Sequence, residues 1–161
     1  MTTAIHDLMS APPVTCETGT SLKTAARRMA EAGIGAVLVT DRSRVAGILT
    51  ERDLLRAAAA GVDPVTAIAG TWMTPQPDVL DPDDDAGVAW DRFTHSHYRH
   101  LPVVDGGRPL GVVSSRDLMG TAPRGLEGLV VADTSVGDVR GEEGFYLAFR
   151  MSRHRFHDVT P

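Results

Sequence analysis

The stretch Gly47-Ile48-Leu49-Thr50-Glu51-Arg52-Asp53 has the pattern of a buried strand that runs directly into a helix. A short apolar run ends the predicted strand. Thr50 belongs to the residue types favoured at a helix N-cap, and Asp53 follows three residues later, in the predicted first turn. The same pattern returns at Gly111-Val112-Val113-Ser114-Ser115-Arg116-Asp117, 64 residues further along. The chain is therefore organised around two copies of one strand-to-helix junction.

Each junction has two interpretations. In the first, the hydroxyl and the carboxylate form a capping box that satisfies the amides at the helix start. In the second, the junction is a ligand site: the carboxylate accepts both hydroxyls of a ribose, while the helix N-terminus and a nearby arginine favour phosphate. Arg52 and Arg116 directly precede the two aspartates. This recurrence favours the ligand site, although a solvated or ion-paired surface role for both arginines stays open.

Length and composition indicate a globular protein. The 161 residues are 42% hydrophobic and 23% charged, enough for a domain with a full core. The net charge of −5 argues against nucleic acid as the main partner. Cys16 is the single cysteine, and its place in a short predicted strand favours a buried apolar role over that of a nucleophile. We see no signal peptide or membrane-spanning stretch, so we expect a cytoplasmic protein with no membrane partner.

The internal repeat extends beyond the two junctions. Apolar runs, turn residues and helical spacing predict a strand–helix–strand–strand–helix unit (β-α-β-β-α) in each half, with one second-half helix from about Pro82 to His95. Because one such unit cannot bury its sheet alone, we predict an α/β fold of two repeats related by a pseudo-twofold axis. The repeats span 1–64 and 65–120, and a tail follows over 121–161. The identical pairs include Arg28/Arg92, Val39/Val103, Asp41/Asp105, Arg44/Arg108, Gly47/Gly111, Arg52/Arg116, Asp53/Asp117 and Leu54/Leu118.

Both halves resemble CBS domains, the module named after cystathionine β-synthase. The resemblance rests on the Met-Ser and Met-Thr openings, the G-x-x-[ST]-x-x-D-L endings and the stretch Arg99-His100-Leu101-Pro102-Val103-Val104-Asp105. It implies a compact disc in which each repeat is a small sheet with helices packed on it. It also implies a homodimer, and clefts between the repeats that bind AMP, ADP, ATP, S-adenosylmethionine or a dinucleotide. The first repeat has Leu38 where the family usually has proline.

The resemblance implies roles for individual residues. Asp53 and Asp117 hold ribose hydroxyls, with Thr50 and Ser114 beside them. Two pairs of residues, Ala36-Val37 and His100-Leu101, present backbone and apolar side chains to the adenine. The expected ligand-binding residues are Thr15, Ala36, Val37, Thr50, Arg52, Asp53, Val79, Arg99, His100, Leu101, Ser114, Arg116 and Asp117.

The two expected sites are not equivalent. Thr15 and its counterpart Val79 lie on the first predicted strand of each repeat, and Val79 has no hydroxyl to offer a ligand.

Two polar runs invite a metal interpretation. The run His95-Ser96-His97-Tyr98-Arg99-His100 has no cysteine or carboxylate at a useful spacing, so we expect no zinc site. It is either a polar loop or places one or two residues at the mouth of the second pocket, near phosphate. The acidic run from Asp81 to Asp85 lacks the glycine and the distal glutamate of a calcium loop. We interpret it as negative charge at a helix N-terminus.

The tail has a resemblance of its own. Residues 125–146 resemble the opening strand and hairpin of citrate synthases, and the rest of the tail resembles nothing we know. The part of those enzymes that carries their catalytic residues is absent from this sequence, so we infer no such activity. A lone hairpin is marginal in water. We expect 125–146 to pair with a partner chain or sheet edge, or to stay partly disordered, and the end of the tail to be disordered.

Three functional hypotheses follow. The first is a non-catalytic regulatory module that needs no cofactor, binds an adenine nucleotide or S-adenosylmethionine and passes a conformational bias to an effector protein. The second is a dimerisation scaffold with unoccupied pockets. The third is an enzyme, either an acyl transferase derived from the tail or a metal hydrolase built on the histidines. It requires a nucleophile–base pair or a full ligand set, and the sequence presents neither.

Overall fold

The computed structural model describes residues 3–96 and 98–119. The predictions for the tail over 121–161, including the hairpin at 125–146, lie outside the described residues, as does His97. The described residues up to Leu118 belong to one compact unit. In this part of the chain, no helix has the length and apolarity needed to cross a bilayer.

The first repeat has the predicted order of elements. It contains β1 (Thr15–Glu17), α1 (Leu22–Ala32), β2 (Ala36–Asp41), β3 (Arg44–Thr50) and α2 (Glu51–Ala59). A short 3-10 helix (Ile5–Asp7) precedes it. The second repeat contains α3 (Ala69–Trp72), β4 (Thr74–Pro75), α4 (Ala86–Ser96), β5 (His100–Asp105) and β6 (Arg108–Ser114). The predicted α/β class, with small sheets covered by helices, is confirmed.

The strands form two sheets. The first has the order β1-β2-β3-β4, with β1 parallel to β2 and the other pairs antiparallel. The second is the hairpin of β5 and β6. Both hairpins carry an irregularity at the same relative place, after Val39 in β2 and after Val103 in β5. This match at an offset of 64 residues supports the internal duplication.

Each repeat is completed by the opening segment of the other repeat. Ser10 exchanges two backbone hydrogen bonds with Val112 of β6, and Ile5 lies in the core of the second repeat. In the same way, β4 pairs with β3, and Ala69 lies in the core of the first repeat. This exchange crosses the sequence boundary near residue 64 and ties the two repeats together.

The cores behave as the apolar patterns predict. Helix α1 begins at the Ser21 N-cap and buries Leu22, Ala25 and Met29. Cys16 is 2% exposed, which confirms its buried apolar role. A third apolar cluster of Ala36, Leu38, Ile48, Val45 and Val112 draws on strands of both repeats. The faces of β3 and β6 therefore meet between the repeats.

The first strand of the second repeat is reduced to a single bridge, between Leu80 and Val103. In the first repeat, the Leu38 amide donates to Val14 and the Thr18 amide donates to Thr40. The equivalent positions are Pro102 and Pro82, which have no amide hydrogen. As a consequence, the Asp78 carbonyl cannot receive the bond that the Val14 carbonyl receives.

Helix α4 begins at Ala86 rather than at Pro82, so the predicted start is corrected by four residues. The acidic run explains the difference. Asp84 accepts from the Asp81 amide at 2.9 Å, Asp81 from the Asp83 amide at 3.0 Å, and Asp85 from the Gly87 amide at 2.7 Å. These bonds hold a turn ahead of the helix because aspartate side chains compete with helical backbone bonds.

Candidate functional site

The two predicted strand-to-helix junctions make the same hydrogen bonds, and the first of them is a capping box at the start of α2. Oδ2 of Asp53 accepts from the Thr50 amide at 2.9 Å and from the Thr50 hydroxyl at 2.8 Å. Oδ2 of Asp117 accepts from the amide and the hydroxyl of Ser114, both at 2.7 Å. In each case one carboxylate oxygen accepts two hydrogen bonds, which fix the orientation of the aspartate. The capping interpretation is right at the first junction, whereas the described residues that follow Ser114, up to residue 119, form a turn rather than the predicted α-helix. The second oxygen of each carboxylate remains to be considered.

The second oxygen of Asp53 has a partner on the same helix. Nη1 of Arg56 donates to Oδ1 of Asp53 at 3.0 Å, one helical turn away. The Asp53 side chain is 6% exposed and the Arg56 side chain is 65% exposed. A buried carboxylate is costly without partners, so the cap and the arginine together stabilise its charge.

Asp53 lines a cavity of about 210 Å³ that draws on both repeats. The end of β3 and the start of α2 form one wall, and the segment before β5 forms the other. The lining residues are Gly35, Ile48, Thr50, Arg52, Asp53, Arg56, Thr74, Pro77, Asp78, Tyr98, Arg99, His100 and Leu101.

Polarity changes along this cavity. Ile48, Asp53 and Leu101 are buried and form its inner part. Three arginines, at positions 52, 56 and 99, are exposed around it, together with the exposed carboxylate of Asp78. The arrangement suits a ligand with a sugar or flat apolar part inside and a negative part outside. A pocket for a whole small molecule usually holds roughly 300–1,000 Å³, so such a ligand would project toward the arginines.

The cavity brings together six of the thirteen expected site residues, namely Thr50, Arg52, Asp53, Arg99, His100 and Leu101. The other seven do not line it. Thr15 and Val79 instead accept, through their carbonyls, the guanidinium groups of Arg28 and Arg92. The remaining five are Ala36, Val37, Ser114, Arg116 and Asp117.

The interpretation that put residues of the histidine run at the mouth of the second pocket is corrected. Tyr98, Arg99 and His100 line the cavity of Asp53, which belongs to the first repeat's motif. The packing of β3 against β6 brings the start of β5 beside the end of β3. A site of this kind is therefore shared between the repeats, with its carboxylate from one and the facing wall from the other.

His100 is held in its neutral form. Burial lowers the pKa of His100, and the positive charges of Arg99 and Arg116 lower that pKa further, while Asp117 acts in the opposite direction. At neutral pH the ring is thus a polar, uncharged part of the cavity wall. Nearby, partial burial raises the pKa of the Tyr98 hydroxyl, and the negative charge of Asp78 raises that pKa further. The hydroxyl also donates a hydrogen bond to Asp78.

Sequence reasoning missed several lining residues, above all Arg56, Asp78 and Tyr98. Arg56 had a detectable signal, because residues three apart on a helix face each other and an arginine after an aspartate can pair with it. Asp78 had a weaker signal. Pro102 has no amide hydrogen, so it cannot donate to the Asp78 carbonyl the bond that Leu38 donates to Val14 in the first repeat. Among the described residues, no three histidine, cysteine or acidic side chains are grouped to hold a metal ion.

Comparisons with known proteins agree with this architecture. The family description "CBS domain" matches residues 5–60 and 65–123. The Meiotically up-regulated gene 70 protein of Schizosaccharomyces pombe is 37% identical over 97 residues, which are 60% of this chain and only 13% of that protein. This chain thus corresponds to a small part of that relative.

Two solved structures are also similar. Hypoxic Response Protein I, which holds two coordinated zinc ions, is 30% identical, with a TM-score of 0.67 over 75% of this chain and 100% of that chain. The CBS domain protein PAE2072 from Pyrobaculum aerophilum, complexed with AMP, is 28% identical, with a TM-score of 0.67 over 73% of this chain and 91% of that chain. With the doubled fold and the two matching segments, the chain belongs to the CBS-domain family.

Proposed function

We propose that the chain is a non-catalytic regulatory module that binds an adenosine-containing ligand in the cavity of Asp53. The observation that carries the proposal is the polarity of this cavity, with a buried carboxylate at its inner part and three exposed arginines around it. AMP, ADP and ATP combine a diol with negative charge. The AMP complex of the PAE2072 protein supports this ligand class.

In this proposal, Asp53 accepts the ribose hydroxyls. Its position is fixed by Thr50, so the carboxylate presents one oriented oxygen to the cavity. A ligand without the diol would leave that acceptor poorly satisfied, and discrimination of this kind is strong in desolvated sites.

The remaining walls of the Asp53 cavity would contact the base and the phosphates of the ligand. Leu101 and Ile48 offer buried apolar surface to the adenine, and neutral His100 offers a polar ring without charge repulsion. Arg52 and Arg99 lie on the exposed side, where a phosphate would project. Guanidinium groups suit this role because their planar donors match phosphate oxygens.

A second site at the other junction remains part of the proposal. It would use Thr15, Ala36 and Val37 of the first repeat with Ser114, Arg116 and Asp117 of the second. Thr15 has a hydroxyl to offer at this site, whereas its counterpart in the second repeat, Val79, has none, so the two sites would differ in affinity.

The ligand would act by differential affinity for two arrangements of the repeats or of a homodimer, and an effector protein would respond to the bias. No cofactor or metal enters this mechanism. The lone buried Cys16 suits a reducing compartment such as the cytoplasm. The alternative is a dimerisation scaffold with empty pockets, which predicts a dimer indifferent to nucleotides.

The test is thermal unfolding of the full chain with AMP, ATP and S-adenosylmethionine in turn, after metal removal with a chelator. A ligand at 100 times its Kd should stabilise the fold by about 2.7 kcal/mol. Asp53→Asn should abolish most of the shift at this site, whereas Asp91→Asn, an exposed aspartate on α4, should leave it unchanged. No shift with any adenosyl compound would favour the scaffold.

A further inference from the structure

The pairing of Arg56 with Asp53 occupies part of the oxygen that a ribose would use in the proposed site. Oδ2 of Asp53 already accepts two hydrogen bonds from Thr50, so Oδ1 is the oxygen left for a diol. That oxygen accepts from Arg56 at 3.0 Å. Because this oxygen has two lone pairs and Arg56 takes one of them, a diol that donates both of its hydroxyls to Oδ1 competes with the guanidinium.

The two partners differ in their freedom to move. The Asp53 side chain is buried and fixed by the cap, whereas the Arg56 side chain is 65% exposed and lines the same cavity. When a diol takes Oδ1, the arginine is the group that leaves. A nucleoside without a phosphate offers the Arg56 guanidinium no anion to replace the carboxylate. A ligand with a phosphate offers it a new anion close by.

We propose that Arg56 makes this site selective for phosphorylated nucleosides, because it exchanges the Asp53 carboxylate for the ligand's phosphate. This inference rests on the proposed function and assigns a specificity role to a residue outside the junction motif. Binding thus links the sugar contact to the phosphate contact: the diol releases the arginine, and the phosphate captures it. Neutral adenosine has no anion to complete the exchange, and S-adenosylmethionine has no phosphate.

The sequence allows this exchange of the arginine at the first junction only. The position equivalent to Arg56 in the second repeat is Gly120, 64 residues later. The second junction has the same hydrogen bonds from Ser114 to Asp117 but no arginine at this place. The two junctions are therefore expected to differ in their preference for phosphate as well as in affinity.

The experiment is isothermal titration of the full chain with AMP and with adenosine, comparing the wild type, Arg56→Gln and Arg27→Gln. Arg27 is a matched control, since it is an exposed helical arginine on α1 paired with Glu31 and it does not line the cavity. The wild type should prefer AMP. Arg56→Gln should reduce the ratio of the two affinities about tenfold, through weaker AMP binding and unchanged or tighter adenosine binding. Arg27→Gln should keep the wild-type ratio.

Arg56→Lys provides a second variant that keeps the charge, and its ratio should lie between those of the wild type and Arg56→Gln. Thermal unfolding of each variant checks that it is folded. If Arg56→Gln and Arg56→Lys both keep the wild-type ratio while AMP and adenosine bind, the exchange is wrong and the proposed function stands. If neither compound binds the wild type, the exchange is wrong, and the proposed function fails as well when ATP and S-adenosylmethionine also give no thermal shift.

Discussion

Thr50 and Asp53 form a closed pair, in which one carboxylate oxygen of Asp53 accepts both the amide and the hydroxyl of Thr50. Ser114 and Asp117 repeat this pair in the second half. The contact between Thr50 and Asp53 caps a helix and orients a buried carboxylate toward a cavity. If the proposed function holds, stability and ligand binding are coupled at Asp53, and variants can separate them.

Thr50→Ala removes a cap hydroxyl and should lower the free energy of unfolding by about 1 kcal/mol. The backbone amide still donates to Asp53, so AMP binding should weaken only slightly. Urea unfolding measures the first effect and calorimetric titration the second. Ser114→Ala is the matched variant and should cost a similar amount without affecting the Asp53 cavity. Unchanged stability in Thr50→Ala would mean that its hydroxyl does not hold the carboxylate.

Two glycines, Gly47 of β3 and Gly111 of β6, lie where a strand of one repeat packs against the opening segment of the other repeat. A Cβ atom on Gly47 would collide with Sδ of Met73 and lie 2.8 Å from the Thr74 carbonyl oxygen. On Gly111 it would lie 2.6 Å from Sδ of Met9 and 2.9 Å from the Ser10 carbonyl oxygen. The backbone oxygens cannot move aside as a flexible methionine can, so the strain must be shared by the strands.

We expect Gly47→Ala and Gly111→Ala each to lower the free energy of unfolding by about 1–3 kcal/mol, as overpacked sites do. Urea unfolding is the measurement. Gly19→Ala is the control, because a Cβ there meets nothing within 4 Å. Two variants as stable as this control would contradict the close packing of these strands against the opening segments.

The sequence predicted the fold because its signals are local and occur twice. Thr50, Asp53 and their counterparts share one spacing, and chance recurrence over the whole repeat is improbable. The periodicity within one half could not indicate that Ile5 packs in the other half's core, since apolar spacing specifies which face is buried and not what covers it. For the same reason, the meeting of Asp53 with Leu101 in one cavity depended on how β3 and β6 pack.

His100 makes the stability of the fold depend on pH. Its pKa in the folded state is lowered, chiefly by burial, with Arg99 the largest charge acting in the same direction. The unfolded chain has an ordinary histidine, with a pKa of about 6.5. Between the lowered folded pKa and 6.5, the unfolded state therefore binds more protons than the folded state. Stability rises with pH in that window, is complete above about 6.5, and is lost as pH falls toward the folded pKa.

The prediction is tested by urea unfolding of the wild type and His100→Gln at pH 7.5 and pH 5.5. The wild type should lose more stability on acidification than the variant, because the glutamine has no proton to bind. The other histidines are present in both proteins, so their contributions cancel in the difference. Equal losses would show that His100 titrates alike in both states. A larger loss in His100→Gln would mean that its folded pKa is raised, with Asp117 outweighing burial and the two arginines.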